Sequence, residues 1–337
     1  MRGEAKKSII AILLIALLLG VGGCKWKAEE TVAMEKGGKN TTTIDDKKDK
    51  SSETSEEQPS KKPDEKPIDK PDENKDKDNN DPLNENPDKN DDAAPVSSVD
   101  VSTLNKERRG WSWLYSPTEA KNVLDKYQGY ANGDTSKKYL YLTFDEGYEN
   151  GYTESILDTL KANDVKAAFF ITGAYVEGSY KGKKNVELLK RIASEGHIIG
   201  NHSVNHKSMP SLHDEEEFKK EILGVEEALK KALPEVKMSK YFRPPMGDFS
   251  ELSLYYTQKL GYKSIFFSFA YLDYDVNNQP DPEKTKQMVL EKTKPGSIVL
   301  LHPQSKTNAE ILDSLIKEWK ARGYEFKTLD ELPEKGM

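Results

Sequence analysis

From residue 138 to residue 328, short apolar runs alternate with longer amphipathic ones. The short runs cover residues 138–144, 166–172, 197–200, 241–243, 263–269, 297–301 and 324–328. They are rich in aromatic and β-branched residues and too short for helices, so they are expected as buried strands. The longer runs cover 153–162, 185–195, 214–232, 250–260, 282–292 and 308–322, with apolar residues at helical spacing. Their ends are punctuated. Asp214 followed by Glu217 has the form of a capping box, and Gly196, Gly261 and Gly323 stand just past helix ends. Seven strands alternating with six helices predict a parallel α/β fold, a barrel or a doubly wound sheet. A helical bundle is excluded, because the strand runs are too apolar and too short.

The unusual polar residues fall at the C-terminal ends of these strands. Asp145 and Glu146 end the first. His202 follows the third, and His206 comes four residues later. Arg243 ends the fourth, before Pro244 and Pro245. Asp273 follows the fifth, and His302 ends the sixth. In a parallel barrel that end carries the active site. Adjacent unpaired carboxylates repel, so Asp145 and Glu146 call for a cation between or near them. His202 and His206, four apart on a helical turn, would put two imidazoles on one face. With a carboxylate and water they make an open site for zinc or a similar divalent ion. His302 reads either as a buried structural imidazole or as a general acid, and its place at the mouth favours the acid. Arg243, always charged and on a stiff turn, is suited to pin a carboxylate, with a plain surface ion pair as the alternative. Tyr241, Tyr271 and Tyr274 are groove or core residues. His197 is expected as a core histidine at a strand start, and His213 as a solvated loop residue.

Composition divides the rest of the chain of 337 residues. Residues 1–24 have the order of a secretory signal: Arg2, Lys6 and Lys7, then an apolar run from Ile9 to Leu19, then small residues to Cys24. The run is short for a membrane span. Val21-Gly22-Gly23-Cys24 has the form of a bacterial lipobox, and Cys24 is the single cysteine. A lipidated Cys24 is therefore expected to hold the protein on the outer face of the cell membrane or in the forespore intermembrane space. An uncleaved short anchor is the other reading. Residues 25–104 form a charged Pro/Lys/Asp/Glu-rich linker with too little apolar surface to fold. Flexible-coil scaling gives it a reach of roughly 50 Å. Residues 105–337 form the folded domain, opened by Trp111, Trp113 and Tyr115. A net charge of −7 excludes general nucleic-acid binding, and one cysteine excludes an intrachain disulfide.

Thr143-Phe144-Asp145-Glu146-Gly147, His202-Ser203-Val204-Asn205-His206, Arg243-Pro244-Pro245-Met246-Gly247, Leu272-Asp273-Tyr274 and Leu300-Leu301-His302 resemble, in order, the five motifs of the polysaccharide deacetylase family, the NodB-homology domain. The resemblance spans residues 138–332. Tyr148-Glu149-Asn150-Gly151-Tyr152, Gly247-Asp248-Phe249-Ser250-Glu251 and Asn308-Ala309-Glu310 look like its delta-lactam-biosynthetic branch. The resemblance implies a deformed parallel (β/α) barrel of about seven strands. It implies Asp145 as catalytic base, His202 and His206 as metal ligands, Arg243 orienting Asp145, Asp273 tuning His302, and His302 as general acid. The implied ion is divalent, zinc first, with cobalt, nickel, manganese and magnesium open. The implied substrate is N-acetylmuramic acid in peptidoglycan glycan strands, on the route to muramic-δ-lactam in spore cortex, and the implied state is a monomer. Deacetylation of N-acetylglucosamine or chitin oligomers is the alternative within the class. Two positions depart from the family pattern. Glu146 stands where the family has a metal-binding aspartate and is expected to be the third metal ligand, its extra methylene changing or weakening the bond; the departure also leaves open an inactive, membrane-tethered glycan-binding protein. Tyr274 stands where tryptophan is common.

Overall fold

The computed structural model describes residues 99–111 and 118–335. The expected signal segment, Cys24, nearly all of the linker, Trp113 and Tyr115 lie outside the described residues. The folded part begins slightly before residue 105. Leu104 is buried in a cluster with Phe249 and Leu252, and the Leu252 N–H donates to the Asn105 carbonyl at 3.1 Å.

Seven strands form one sheet. They are β1 (Tyr139–Glu146), β2 (Ala168–Ile171), β3 (Ile198–Asn201), β4 (Tyr241–Phe242), β5 (Lys263–Ser264), β6 (Ser297–Leu301) and β7 (Glu325–Phe326). The order is β6-β1-β2-β3-β4-β5, with β7 pairing the start of β1, and every pairing is parallel. The sheet curls into a deformed barrel. Its two ends, β5 and β6, are joined by an irregular stretch: Ser268 N–H donates to the Ile298 carbonyl and Leu300 N–H to the Phe269 carbonyl, both at 3.0 Å. The expected strand over 263–269 is thus regular only over its first two residues. Its remainder makes single ladder bonds and carries Phe266 and Phe267 into loop.

The helices on the outside are α1 (Thr118–Lys126), α2 (Thr153–Ala162), α3 (Gly173–Glu177), α4 (Val186–Ser194), α5 (Glu215–Ala232), α6 (Glu251–Lys259), α7 (Pro282–Lys292) and α8 (Lys306–Ala321). The helices α1 and α3 were not expected from the sequence. The Asp214 carboxylate accepts from Glu217 N–H at 3.0 Å and caps α5, so half of the expected capping box forms. Gly196, Gly261 and Gly323 adopt φ near +75°, +78° and +80° after α4, α6 and α8, the left-handed backbone of a helix C-terminus.

Two faces follow from the period of two along each strand. Leu140, Leu142 and Phe144 of β1 pack outward with Ile156, Leu160, Leu312 and Ile316 of the helices. Tyr141 packs inward with Ala168, Phe170, Tyr241 and Ile298. Thr143 and Asp145 continue the Tyr141 face. In β3, Ile198 and Gly200 lead inward to His202, and in β6, Ile298 and Leu300 lead to His302. The curled sheet therefore aims these residues into one interior at one end.

Gly200 is required there by close packing. A Cβ on it would sit 2.6 Å from Cδ1 of Phe170. The Phe170 ring in turn lies under the Arg243 guanidinium, 4.2 Å from its Cζ. Gly200→Ala should therefore destabilise the domain by about 1–3 kcal/mol through overpacking, measured as a lower midpoint in denaturant. An unchanged midpoint would show that Phe170 has room to give.

Candidate active site

Arg243 is 1% exposed and leaves β4 pointing inward. Its Nη1 donates to Asp145 Oδ1 at 2.7 Å, and its Nη2 to Thr143 Oγ1 at 2.8 Å and to the Phe266 carbonyl at 3.3 Å. Its Nε donates to the Ile265 carbonyl at 3.1 Å. With Phe170 against its face, the guanidinium is bonded on every side, as a buried cation must be. Burial pushes the Asp145 carboxyl up, but Arg243, with His202 and His302, outweighs this and holds it below the ordinary value. Asp145 Oδ2 is left facing His202 Nε2 at 3.5 Å.

His202 and His206 come together, but not on a helical turn. The segment after β3 is a loop in which Ser203 (φ 66°) and His206 (φ 54°) take the left-handed conformation. It is tied down by Asn201 Oδ1 to Ser203 N–H (2.9 Å), by Ser203 Oγ to His206 N–H (2.9 Å) and by Asn205 to Glu221 (2.7 and 3.0 Å). The two imidazole centroids are 4.9 Å apart. His202 Nδ1 lies 2.8 Å from the Arg243 carbonyl, an acceptor, so Nδ1 carries the proton and Nε2 is bare. Burial pushes the His202 pKa down to about 4 and also lowers that of His206. Neutral imidazoles with a free nitrogen beside a carboxylate oxygen fit a divalent metal ion. His202 and His206 are the residues that would hold it, and Asp145 Oδ2 faces them.

Glu146 does not join them. It follows Asp145 on a strand and so belongs to the outward face of Phe144 and Leu142. It is fully buried, its Oε1 accepts from Thr153 Oγ1 at 3.2 Å at the start of α2, and its Oε2 has no partner. Among the described residues no group of three or more His, Cys, Asp or Glu side chains is placed to hold a metal ion. The Glu146 carboxylate thus lies against Thr153 and the start of α2, whereas Asp145 faces His202. Burial, with Glu149 and Asp145 nearby, pushes the Glu146 carboxyl well up.

On the other side of the mouth, His302 Nδ1 is 2.7 Å from Asp273 Oδ1, and the His302 N–H donates to Asp273 Oδ2 at 2.8 Å. Burial pulls the His302 pKa down, but Asp273, by charge and hydrogen bond, and then Asp145 raise it above the ordinary value. Tyr274 stands edge-on to His302, with centroids 5.6 Å apart, and is 52% exposed. Tyr241 and Tyr271 are buried core residues. His197 is buried, with its Nδ1 accepting from Ala167 N–H, and His213 is exposed. Tyr148, Met246 and Leu272, close in sequence to Glu146, Arg243 and Asp273, are exposed. None of the site residues lines the cavity of about 370 Å³ between Gly151, Tyr180 and Leu188.

Thr143 and Phe170 were missed as supports of Arg243. The signal for Thr143 was its place two residues before Asp145, on the same face. Phe170 had none beyond its pairing with Gly200 in the ladder.

A family model described as polysaccharide deacetylase matches residues 132–265. The peptidoglycan-N-acetylmuramic acid deacetylase PdaA of Bacillus subtilis is 40% identical over 214 residues, 64% of this chain and 78% of that protein. The solved structure of PdaA, a family 4 carbohydrate esterase, superposes with a TM-score of 0.63 at 37% identity, covering 67% of this chain and 97% of that one. A peptidoglycan-N-acetylglucosamine deacetylase of Bacillus cereus is 30% identical over 213 residues, 62% of this chain and 73% of that protein. With the barrel, the five strand-end motifs and these relatives in agreement, the chain belongs to the polysaccharide deacetylase family.

Proposed function

We propose that this protein hydrolyses the N-acetyl group of N-acetylmuramic acid in peptidoglycan, with Asp145 as base and His302 as acid. The observation that carries the reading is the pair of oppositely tuned groups at one mouth. Asp145 is held ionised by Arg243, and His302 is held protonated by Asp273. Groups whose environments push their pKa values apart are the mark of an acid/base pair.

The roles follow from which atoms are left free. Arg243 occupies Asp145 Oδ1, so Oδ2 is the oxygen that takes a proton from an attacking water. Asp273 occupies His302 Nδ1, so Nε2 delivers the proton to the departing sugar amine. The exposed Tyr274 ring beside His302 offers a face to the sugar. His202 and His206 would hold a divalent ion, which when bound would supply Lewis acidity toward the amide carbonyl oxygen. The water is consumed, and the products are acetate and a glycan strand carrying a free muramic amine. The substrate assignment is supported by the similarity to PdaA.

Asp145→Asn and His302→Ala should each lower acetate release from peptidoglycan by at least about 10²-fold, with circular dichroism unchanged. Near-normal turnover in either variant would sink the assignment. Mass spectrometry of the digested glycan should place the lost acetyl on muramic acid. Loss confined to glucosamine would replace the substrate, and no loss with glycan retained would leave a binding protein.

The pH dependence has a defined sign. His302 must be protonated to act, and its folded pKa is raised, so activity persists above the ordinary imidazole range and fades as pH rises through the raised value. Asp273→Asn removes the main raising influence. The alkaline limb of kcat/KM should then move to lower pH, and an unmoved limb would dissociate Asp273 from the acid.

Metal binding should depend on the histidines and not on Glu146. His202→Ala should lose bound zinc in elemental analysis and calorimetry, whereas Glu146→Gln should retain it within about tenfold of the native affinity. A larger loss in Glu146→Gln would return this residue to the metal site.

A further inference from the structure

We propose that Asn308, backed by Tyr271, is a positioning residue that fixes the Asp273 carboxylate and through it the tautomer and tilt of His302. This rests on the reaction proposed above, in which His302 is the acid.

Asp273 binds His302 through both oxygens, Oδ1 to the ring and Oδ2 to the backbone N–H. A carboxylate torsion is broad and two-fold, so this pair of contacts alone leaves the group free to rock between ring and backbone. Asn308 removes that freedom. Its side-chain Nδ2 donates to Asp273 Oδ2 at 2.6 Å, so the two oxygens are no longer equivalent. The same Nδ2 donates to the His302 carbonyl at 3.0 Å. The N–H and the carbonyl of His302 are thus both held by this one buried unit.

The amide of Asn308 is itself held in one orientation. Its Oδ1 accepts from the Tyr271 hydroxyl. A flipped amide would turn its oxygen toward the Asp273 carboxylate, placing acceptor against acceptor. Tyr271 is 6% exposed, and burial and then Asp273 push its phenol well up, so it stays a proton donor. Asn308 is 1% exposed and reaches this place from the first turn of α8, where its N–H is capped by Ser305 Oγ at 3.1 Å. An N3 residue of a capped helix commonly turns back to its cap. Here it turns inward, and Ser305 keeps the helix end satisfied without it. Asn308 opens the Asn308-Ala309-Glu310 stretch that stood out in the sequence without a role, and its contacts lead to the acid and not to the substrate.

The test uses the full chain and two independent readouts. The first is the proton resonance of His302 Nδ1–H, which a short bond to a carboxylate carries far downfield. The second is the division of effect between kcat and KM. In Asn308→Ala the resonance should move upfield or broaden, and kcat should fall about tenfold, the scale of one charge-assisted hydrogen bond, with KM within about twofold. In Tyr271→Phe, which loses a single hydroxyl, both changes should appear in the same direction but smaller. Tyr271→Phe also keeps the idea testable should Asn308→Ala fold poorly. A native resonance and native kcat in both variants would make Asn308 a purely structural residue and overturn the proposal. A perturbed resonance in a protein whose native form releases no acetate would uphold the positioning role and refute the reaction instead.

Discussion

The buried guanidinium of Arg243 is the constraint around which the site is arranged. A charge 1% exposed in a barrel interior survives only with a complete set of partners. Asp145, Thr143 and two backbone carbonyls supply them, and Phe170 covers the remaining face. Each partner depends on something else. Phe170 lies where it does because Gly200 has no side chain. The Ile265 and Phe266 carbonyls are free because the strand expected over 263–269 leaves the sheet after Ser264. Irregularity in β5 is thus what allows the arginine to be buried, and the arginine is what keeps Asp145 ionised.

Much of this was legible in the sequence, for a reason that also explains what was not. Strands of a parallel barrel bring their C-terminal ends to one mouth, so residues placed there by sequence are close in space whatever the details. Asp145, His202, Arg243, Asp273 and His302 needed no more than that. His206 was paired with His202 on the assumption of a helical turn. The rings do approach, but through two left-handed residues stitched by Ser203 and Asn201, a loop with no periodic signature. The helix α3 is five residues long and too short to show a period.

Glu146 lies on the other face of β1 from Asp145, beside Thr153. Neighbours on a strand point to opposite faces, so Asp145 and Glu146 could share a cation only if β1 ended between them. It does not: Glu146 still pairs with Ile171 in the ladder. The two carboxyls are separated across the sheet, and burial favours the protonated form of Glu146. Nearby, the Glu149 carboxylate gathers the first N–H groups before α2, at 3.1 Å from Asn150 and 2.5 Å from Gly151. The second carboxylates of this region therefore serve the helix layer and not the mouth.

Asp145 and His302 are tuned by the same device with the signs exchanged. Each is tied through one of its atoms to an opposite charge that is nearly inaccessible to solvent, which leaves its other atom free of that charge. The buried partner in each case favours the charged form, which for a carboxyl means losing a proton and for an imidazole means keeping one. Burial opposes both, and both partners outweigh it. The two groups also reinforce each other, since an ionised Asp145 raises His302 and a protonated His302 lowers Asp145. Removing either charge weakens the hold on the other. Loss of Arg243 or Asp273 would remove the opposite tuning of Asp145 and His302 and leave a buried group without its partner.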